Sequence, residues 1–230
     1  MLVNNPIIMF HSLYVTEPHP GGIPVDKFRE YLLILRKQGF WGCSIEENRK
    51  DPSPTNVCLT FDDGYINNLY LGVPLLEEFG FTATFFVLAE PEVGFLPWHS
   101  NDPQPLMGPE EWRSLMEAGH EVASHGLTHQ SLPFLEDWQA EDELKKSKNK
   151  LEGVLGKRVL GYAYPKGKFQ RKHEKMVAKH YDYACATRYR FPWFENRFRL
   201  RRIGINDMDG IFRFKKKMSF PVRMAFDLGF

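Results

Sequence analysis

Two short stretches of the sequence combine residue types that bind metal ions. Asp62 and Asp63 follow the apolar segment Val57–Phe61, and His125 and His129 are four residues apart. Histidines at this spacing share one face of a helical turn and can chelate a single metal ion. One aspartate and both histidines would leave a coordination position open for water, as catalytic metal sites do. The combination favours a catalytic metal site over a solvated turn at the aspartates and two unrelated histidines.

Two other segments carry groups that could act beside such a site. His11 ends the segment PIIMFH, although a single histidine in this position is more often structural than catalytic. The residues Pro165, Lys166 and Gly167 follow the apolar segment Gly161–Tyr164. This sequence either forms a simple turn or exposes backbone N–H groups to a developing oxyanion. Both alternatives stay open at this point.

All these groups follow β-rich segments in a chain that alternates strands with amphipathic helices. The pattern predicts strands at residues 6–11, 57–61, 82–88, 121–124, 161–164, 183–186 and 202–205, and helices at residues 25–37, 67–79, 109–118, 138–155 and 171–180. Repeated β-then-α order predicts an α/β fold, in which helices cover a parallel sheet that is either open or closed into a barrel. Ligands of such folds bind at the carboxyl ends of the strands, so the groups above would meet at one end.

Composition narrows the class of protein. The chain has 230 residues, 43% of them hydrophobic, and a net charge of +1, which predicts one domain over residues 1–230 and no nucleic-acid partner. The first ten residues contain no Lys or Arg, so we expect no signal peptide and a cytoplasmic location; an exported protein without its signal would have the same sequence. The cysteines Cys43, Cys58 and Cys185 are predicted to be buried thiols.

Taken in chain order, these segments and motifs resemble those of the polysaccharide deacetylase family, also called carbohydrate esterase family 4, over nearly the whole sequence. LTFDDG at residues 59–64 is similar to the family's first motif, which implies Asp62 as the general base and Asp63 as a metal ligand. SHGLTH at residues 124–129 is similar to its His-Ser/Thr-x-x-His motif, which implies His125 and His129 as the other ligands. The resemblance implies a distorted (β/α) barrel with about seven parallel strands surrounded by helices.

The sequence departs from the family pattern at two motif positions. Gly126 stands where Ser or Thr is usual, so a hydroxyl that supports the loop is missing. Ala163 stands where an Arg normally supports the catalytic base, and Arg202 is a candidate replacement. The form Ala-Tyr-Pro-x-Gly resembles a branch of the family, which implies that the backbone N–H of Tyr164 binds the oxyanion.

The usual general acid of the family, the His of a Leu-x-His motif, has no counterpart after His180. A permuted branch, which includes poly-N-acetylglucosamine deacetylases, carries this acid in an N-terminal Tyr-His segment. IIMFHSL at residues 7–13 resembles that segment, with Phe10 in place of Tyr. This resemblance implies His11 as the general acid.

The implied function is a metal-dependent hydrolase that removes N-acetyl groups from an amino sugar in a polysaccharide, an oligosaccharide or a lipid-linked form. Zinc is the favoured metal, and Co²⁺, Ni²⁺ and Fe²⁺ are compatible with the same ligands. One alternative is an amidase or imidase that acts on a small nitrogenous substrate. Another is a carbohydrate-binding protein without activity, which the loss of Arg at Ala163 favours slightly.

Several residues could contact such a substrate or a membrane. Trp98, His99 and Trp193 lie in Pro-rich segments, where they either stack on sugar rings or pack within loops. The C-terminal segment, residues 212–230, mixes Lys and Arg with apolar residues. It is expected to be a solvated end, with weak contact to a membrane surface as the alternative.

Overall fold

The computed structural model describes residues 5–16, 21–90, 105–187 and 196–218. In these ranges the chain forms eleven strands and seven α-helices. The strands are β1 Ile7–Phe10, β2 Ser12–Tyr14, β3 Gly22–Pro24, β4 Trp41–Cys43, β5 Asn56–Phe61, β6 Thr84–Val87, β7 Glu121–Ser124, β8 Gly161–Ala163, β9 Tyr183–Ala186, β10 Leu200–Arg201 and β11 Ile203–Gly204. The helices are α1 Val25–Lys37, α2 Ile45–Lys50, α3 Val73–Phe79, α4 Pro109–Glu117, α5 Asp137–Leu155, α6 Arg171–His180 and α7 Ile211–Met218.

Eight strands form one parallel sheet in the order β10-β9-β8-β7-β6-β5-β1-β11, and β4 pairs with the first half of β5. The two edge strands, β10 and β11, are consecutive in the chain and are separated only by Arg202. The chain therefore connects the two edges of the sheet through one residue, which nearly closes it into a barrel. This confirms the predicted α/β barrel with about seven parallel strands surrounded by helices.

The strands β1 and β5 to β9 are buried on both faces, as expected when helices cover a barrel. Val57, Leu59 and Phe61 of β5 pack in the large core beneath the helices, whereas Cys58 packs inside the barrel. The same alternation places Thr60 and Asp62 on the inner face. The inner face of β5 therefore carries a carboxylate at its carboxyl end.

The segment predicted as a single helix at residues 67–79 is divided in the structure. Residues Asn68–Gly72 form a π-helical turn, and α3 begins at Val73. Pro74 explains the division, because proline lacks the N–H that would continue the regular hydrogen-bond series of an α-helix. The short elements that were not predicted from the sequence are β2, β3, β4, β10, α2 and α7.

Helix ends follow local sequence rules. The Glu111 carboxylate accepts a hydrogen bond of 2.8 Å from the N–H of Gly108, which precedes Pro109 at the start of α4. Gly80 and Gly156 end α3 and α5 with positive φ values of 65° and 64°. Within the described ranges, no helix is both long enough and apolar enough to cross a bilayer.

Candidate metal and catalytic site

Three side chains predicted to bind a metal converge at the carboxyl ends of β5 and β7. The Asp63 Oδ1 atom lies 3.2 Å from His125 Nε2 and 3.3 Å from His129 Nε2. One ligand atom from each residue lies within 4.8 Å of the other two, and all three residues are buried. One carboxylate oxygen and two imidazole nitrogens form a donor set that suits zinc and neighbouring transition metals. The chemistry of these donors therefore fits a divalent cation.

The pKa values of the three groups respond to burial and to one another. Burial by itself would lower the pKa of His125, but the nearby Asp62 and Asp63 carboxylates raise it, so this position attracts positive charge. Burial by itself would raise the pKa of Asp63, but the hydrogen bonds from His125 and His129 hold it well below its usual range. Burial lowers the pKa of His129, which favours the neutral imidazole that can bind a metal. His125 Nδ1 lies 2.9 Å from the Ala163 carbonyl oxygen. With Nδ1–H donating to that oxygen, loss of the Nε2 proton leaves a lone pair that can bind a metal in place of the hydrogen bond to Asp63.

The backbone around the cluster is strained. Among the described residues, those with positive φ other than glycine are Asp63, His129 and Lys166, with values of 71°, 64° and 58°. Such conformations cost of order 1–3 kcal/mol each and concentrate at functional sites. The left-handed turn at Asp63 brings its side chain into the site beside that of Asp62, although adjacent strand residues normally point to opposite faces.

The predicted helical turn between the two histidines is wrong. Residues 125–130 form an irregular loop with no helix, in which Gly126 has a φ of 94° and His129 one of 64°. Two residues with positive φ cannot belong to a right-handed turn. The two imidazoles nevertheless converge, because the loop rather than a helix directs both rings at Asp63.

The predicted general base, Asp62, forms a buried ion pair with Arg202. Two guanidinium nitrogens donate to its two carboxylate oxygens at 2.6 Å each, and both side chains are almost fully buried. Burial by itself would raise the pKa of Asp62, but the charge and hydrogen bonds of Arg202, together with the charge of His125, lower it. Asp62 is therefore held as a carboxylate. Arg202 stands where β10 meets β11, so the residue that closes the barrel supplies the cation missing at Ala163.

His11, the predicted general acid, lies half-buried after β1. Phe10 pairs with Phe61 across β1 and β5, and the Asp62 N–H donates to the Phe10 carbonyl at 3.0 Å, so His11 and Asp62 leave the sheet side by side. The Asn68 side chain donates to the His11 carbonyl at 2.6 Å, and the Asn67 side chain donates to the Ser12 hydroxyl at 2.8 Å. These two asparagines hold the segment that carries His11. The sequence analysis missed them, although asparagine is a poor residue for the helix predicted there.

The structure does not support the role predicted for Tyr164. Its backbone N–H donates to the Cys185 carbonyl at 3.1 Å, and its hydroxyl donates to the Phe198 carbonyl at 3.0 Å. The N–H assigned to an oxyanion is thus engaged in the sheet between β8 and β9. The turn that follows is tightly constrained, because a Cβ on Gly167 would lie 1.6 Å from Thr187 Oγ1.

The candidate sugar contacts Trp98, His99 and Trp193 lie outside the described residues, as does the C-terminal segment beyond Met218. Two other aromatic side chains are exposed near the histidine loop. Phe134 is 74% exposed, and Trp138, in the first turn of α5, is 68% exposed.

Comparison with known proteins gives consistent results. Residues 49–186 match the family model of polysaccharide deacetylases. YxkH of Bacillus subtilis, a candidate polysaccharide deacetylase, is 25% identical over 180 residues, which are 76% of this chain and 61% of YxkH. The peptidoglycan deacetylase of Helicobacter pylori is 31% identical over 107 residues, which are 45% of this chain and 35% of that enzyme. The chain thus spans less than two thirds of the length of either relative.

Solved structures resemble the chain over almost its whole length. The deacetylase PplD of Streptococcus pyogenes, solved with acetate, has a TM-score of 0.80 and 21% identity, with 94% of this chain and 98% of that one covered. A polysaccharide deacetylase from Bacillus cereus has a TM-score of 0.78 and 23% identity, with 93% of this chain and 68% of that one covered. At these identities the likeness shows the fold alone.

Proposed function

Because the chain belongs to the polysaccharide deacetylase family, we propose that it is a metal-dependent hydrolase that removes the N-acetyl group from an acetylated amino sugar. The observation that carries this proposal is the buried cluster of Asp63, His125 and His129 next to the Asp62–Arg202 pair. The cluster can hold a cation and the pair supplies a carboxylate base. These are the parts that metal-assisted hydrolysis of an amide requires.

Asp63, His125 and His129 would hold the metal, and zinc is the proposed ion. A bound divalent cation lowers the pKa of water and polarises a carbonyl oxygen, which assists attack on an amide at neutral pH. Cobalt, nickel and iron suit the same donor set.

Asp62 would act as the general base. It removes a proton from the attacking water while the water oxygen bonds to the acetamide carbon. The pair with Arg202 keeps Asp62 deprotonated and fixes the plane of its carboxylate through two hydrogen bonds.

His11 would act as the general acid. When the bond between the carbonyl carbon and the amide nitrogen breaks, His11 donates a proton to that nitrogen, so that the products are a neutral amine and acetic acid, which ionises to acetate. An amine leaves poorly until it is protonated. The hydrogen bond from Asn68 to the His11 carbonyl holds this part of the backbone in place.

The exposed aromatic side chains support a sugar substrate. Phe134 follows the histidine loop, and Lys168, after the Pro165–Gly167 turn, lies with its Nζ 4.9 Å from the centre of the Phe134 ring. Trp138 lies in the helix that starts beside this loop. Flat apolar rings offer a surface on which a pyranose can stack. The identity of the sugar and the cytoplasmic location expected from the sequence stay predictions.

The first test is metal content by elemental analysis together with acetate release from N-acetylglucosamine oligomers. Wild type should bind about one metal ion per chain and release acetate, and Asp63→Ala should lose both. Asp142→Ala is the matched control, because Asp142 forms an exposed surface pair with Lys146 and should retain both properties.

Other outcomes would favour the alternatives. A bound metal without acetate release, but with hydrolysis of a cyclic imide, would support the amidase or imidase. Absence of metal even after reconstitution would contradict the catalytic proposal and support a carbohydrate-binding role.

A further inference from the structure

We propose that Glu143 is a positioning residue that holds the loop between His125 and His129 in the shape required for metal binding. Glu143 lies on α5 and is buried. Its Oε2 atom accepts hydrogen bonds from the backbone N–H groups of Leu127, at 2.8 Å, and Thr128, at 3.3 Å. Its Oε1 atom accepts a hydrogen bond from the Thr128 hydroxyl. All three bonds go to residues that lie between the two histidines.

Gly126 makes this arrangement possible. Its φ of 94° is unfavourable for any residue with a side chain, and a Cβ at this position would lie 3.3 Å from Glu143 Oε2. The same Cβ would lie 3.7 Å from the Tyr162 hydroxyl and from Pro165 Cγ. A side chain at position 126 would therefore crowd the Glu143 carboxylate, which would have to shift by a few tenths of an ångström. With glycine at this position the carboxylate stays in place and supports the loop.

The Glu143 carboxylate and its three donors depend on one another. A buried carboxylate is costly unless it accepts several hydrogen bonds, and here three donors of a single loop supply them. If the carboxylate is lost, two backbone N–H groups lose their acceptor and the loop can relax. Since His125 and His129 stand at the two ends of this loop, relaxation would separate the metal ligands. Loss of groups that orient metal ligands typically weakens metal binding about 10-fold to 100-fold.

The inference rests on the proposed function in one respect, which is that the site binds a metal. Metal affinity therefore tests the role of Glu143 separately from enzyme activity. Zinc dissociation constants of the folded, metal-free protein can be measured by competition with a chromophoric chelator. Glu143→Gln keeps the size of the side chain and replaces one acceptor oxygen with an NH₂ group. It should raise the zinc dissociation constant about 10-fold to 100-fold.

Glu152→Gln on the same helix is the matched control. Glu152 accepts a hydrogen bond of 2.9 Å from the Val159 N–H and pairs with Lys148 at 2.8 Å, away from the histidine loop. It should lower the thermal midpoint of the metal-free protein but leave zinc affinity within threefold of wild type. If Glu143→Gln also lowers only the thermal midpoint, Glu143 is merely structural and the proposal is overturned.

Two further variants decide the matter if Glu143→Gln does not fold. Thr128→Val keeps its shape but loses the hydroxyl that donates to Glu143, and zinc affinity should fall measurably. Gly126→Ser introduces a hydroxyl residue at this position but should weaken zinc binding, because a side chain is strained at this φ and crowds the Glu143 carboxylate. Unchanged affinity in Thr128→Val, or tighter binding in Gly126→Ser, would overturn the proposal. Failure of wild type to release acetate, with the affinity pattern intact, would contradict the proposed reaction and leave the role of Glu143 in place.

Discussion

Replacing Arg202 with methionine should destabilise the folded protein, because it leaves the Asp62 carboxylate buried without its partner. The two hydrogen bonds to Asp62 that disappear are both 2.6 Å long, a longer one of 3.4 Å to the Thr60 hydroxyl is lost with them, and the side chains of the ion pair are 0% and 4% exposed. The guanidinium carbon of Arg202 lies 5.2 Å from the centre of the Phe86 ring. Methionine can keep an apolar chain over this ring, so the change removes mainly charge and hydrogen bonds rather than volume.

Two limits set the expected loss in the free energy of unfolding. Removal of one partner of a buried ion pair typically costs about 3–5 kcal/mol. The carboxyl can escape part of this cost by taking up a proton, which costs about 4 kcal/mol at pH 7 for a group with an ordinary pKa near 3.8. We therefore expect Arg202→Met to lower the free energy of unfolding by about 3–4 kcal/mol at pH 7. A protonated Asp62 cannot act as a base, so acetate release should also fall by about 100-fold or more.

Equilibrium denaturation in urea measures this loss, with Arg158→Met as the control. Arg158 donates to Asp182 at 2.9 Å in a pair whose side chains are 69% and 36% exposed. Its removal should cost less than about 1 kcal/mol, because solvent screens an exposed pair. Arg202→Lys keeps the charge but not the paired hydrogen bonds, so its effect should be intermediate. If Arg202→Met costs no more than Arg158→Met, the reasoning about the buried pair is refuted.

Three further predictions concern other parts of the molecule. Burial lowers the pKa of His120 from 6.5 to about 4. The free energy of unfolding is therefore at its full value above pH 6.5 and falls as the pH drops toward 4, because in this range the unfolded chain binds a proton at His120 and the folded protein does not. His120→Asn keeps an acceptor for the Ala83 N–H. Between pH 7 and pH 5, the free energy of unfolding should fall by about 2 kcal/mol less in this variant than in wild type. An equal fall in the variant and in wild type would contradict this prediction. Phe134→Ala should raise the KM for acetylated oligosaccharides about threefold to tenfold, whereas Phe212→Ala, at a similarly exposed position on α7, should not change it. His11→Gln should lower kcat about 100-fold and leave zinc affinity unchanged, and a loss of affinity instead would place His11 among the ligands.

Much of the fold and of the candidate site could be predicted from the sequence because the signals are local. The helix Val25–Lys37 and the strands Glu121–Ser124 and Tyr183–Ala186 have the predicted bounds, since periodicity and flanking turn residues depend on neighbours in the chain. The positions of Asp62, Asp63, His125 and His129 after strands also predicted that they would meet. Parallel strands bring their carboxyl ends to one side of a sheet.

Contacts between distant segments could not be predicted with the same certainty. From the sequence, Arg202 was only a candidate partner of Asp62, which is 140 residues away. Closure of the barrel between β10 and β11 brings the two side chains together. It could not show that the Tyr164 N–H is taken by the Cys185 carbonyl.

The residue types of the site and their order along the chain are properties of the sequence by itself. Only the tertiary structure decided which of these side chains are held in place and which residues hold them. Glu143 shows why: a carboxylate on an amphipathic helix has no local feature that marks it as buried, and only the packing of α5 against the histidine loop brings it to the Leu127 and Thr128 N–H groups. Local patterns depend on residues a few positions apart. Hydrogen bonds between distant segments depend on the order of the strands, which is set by the chain as a whole.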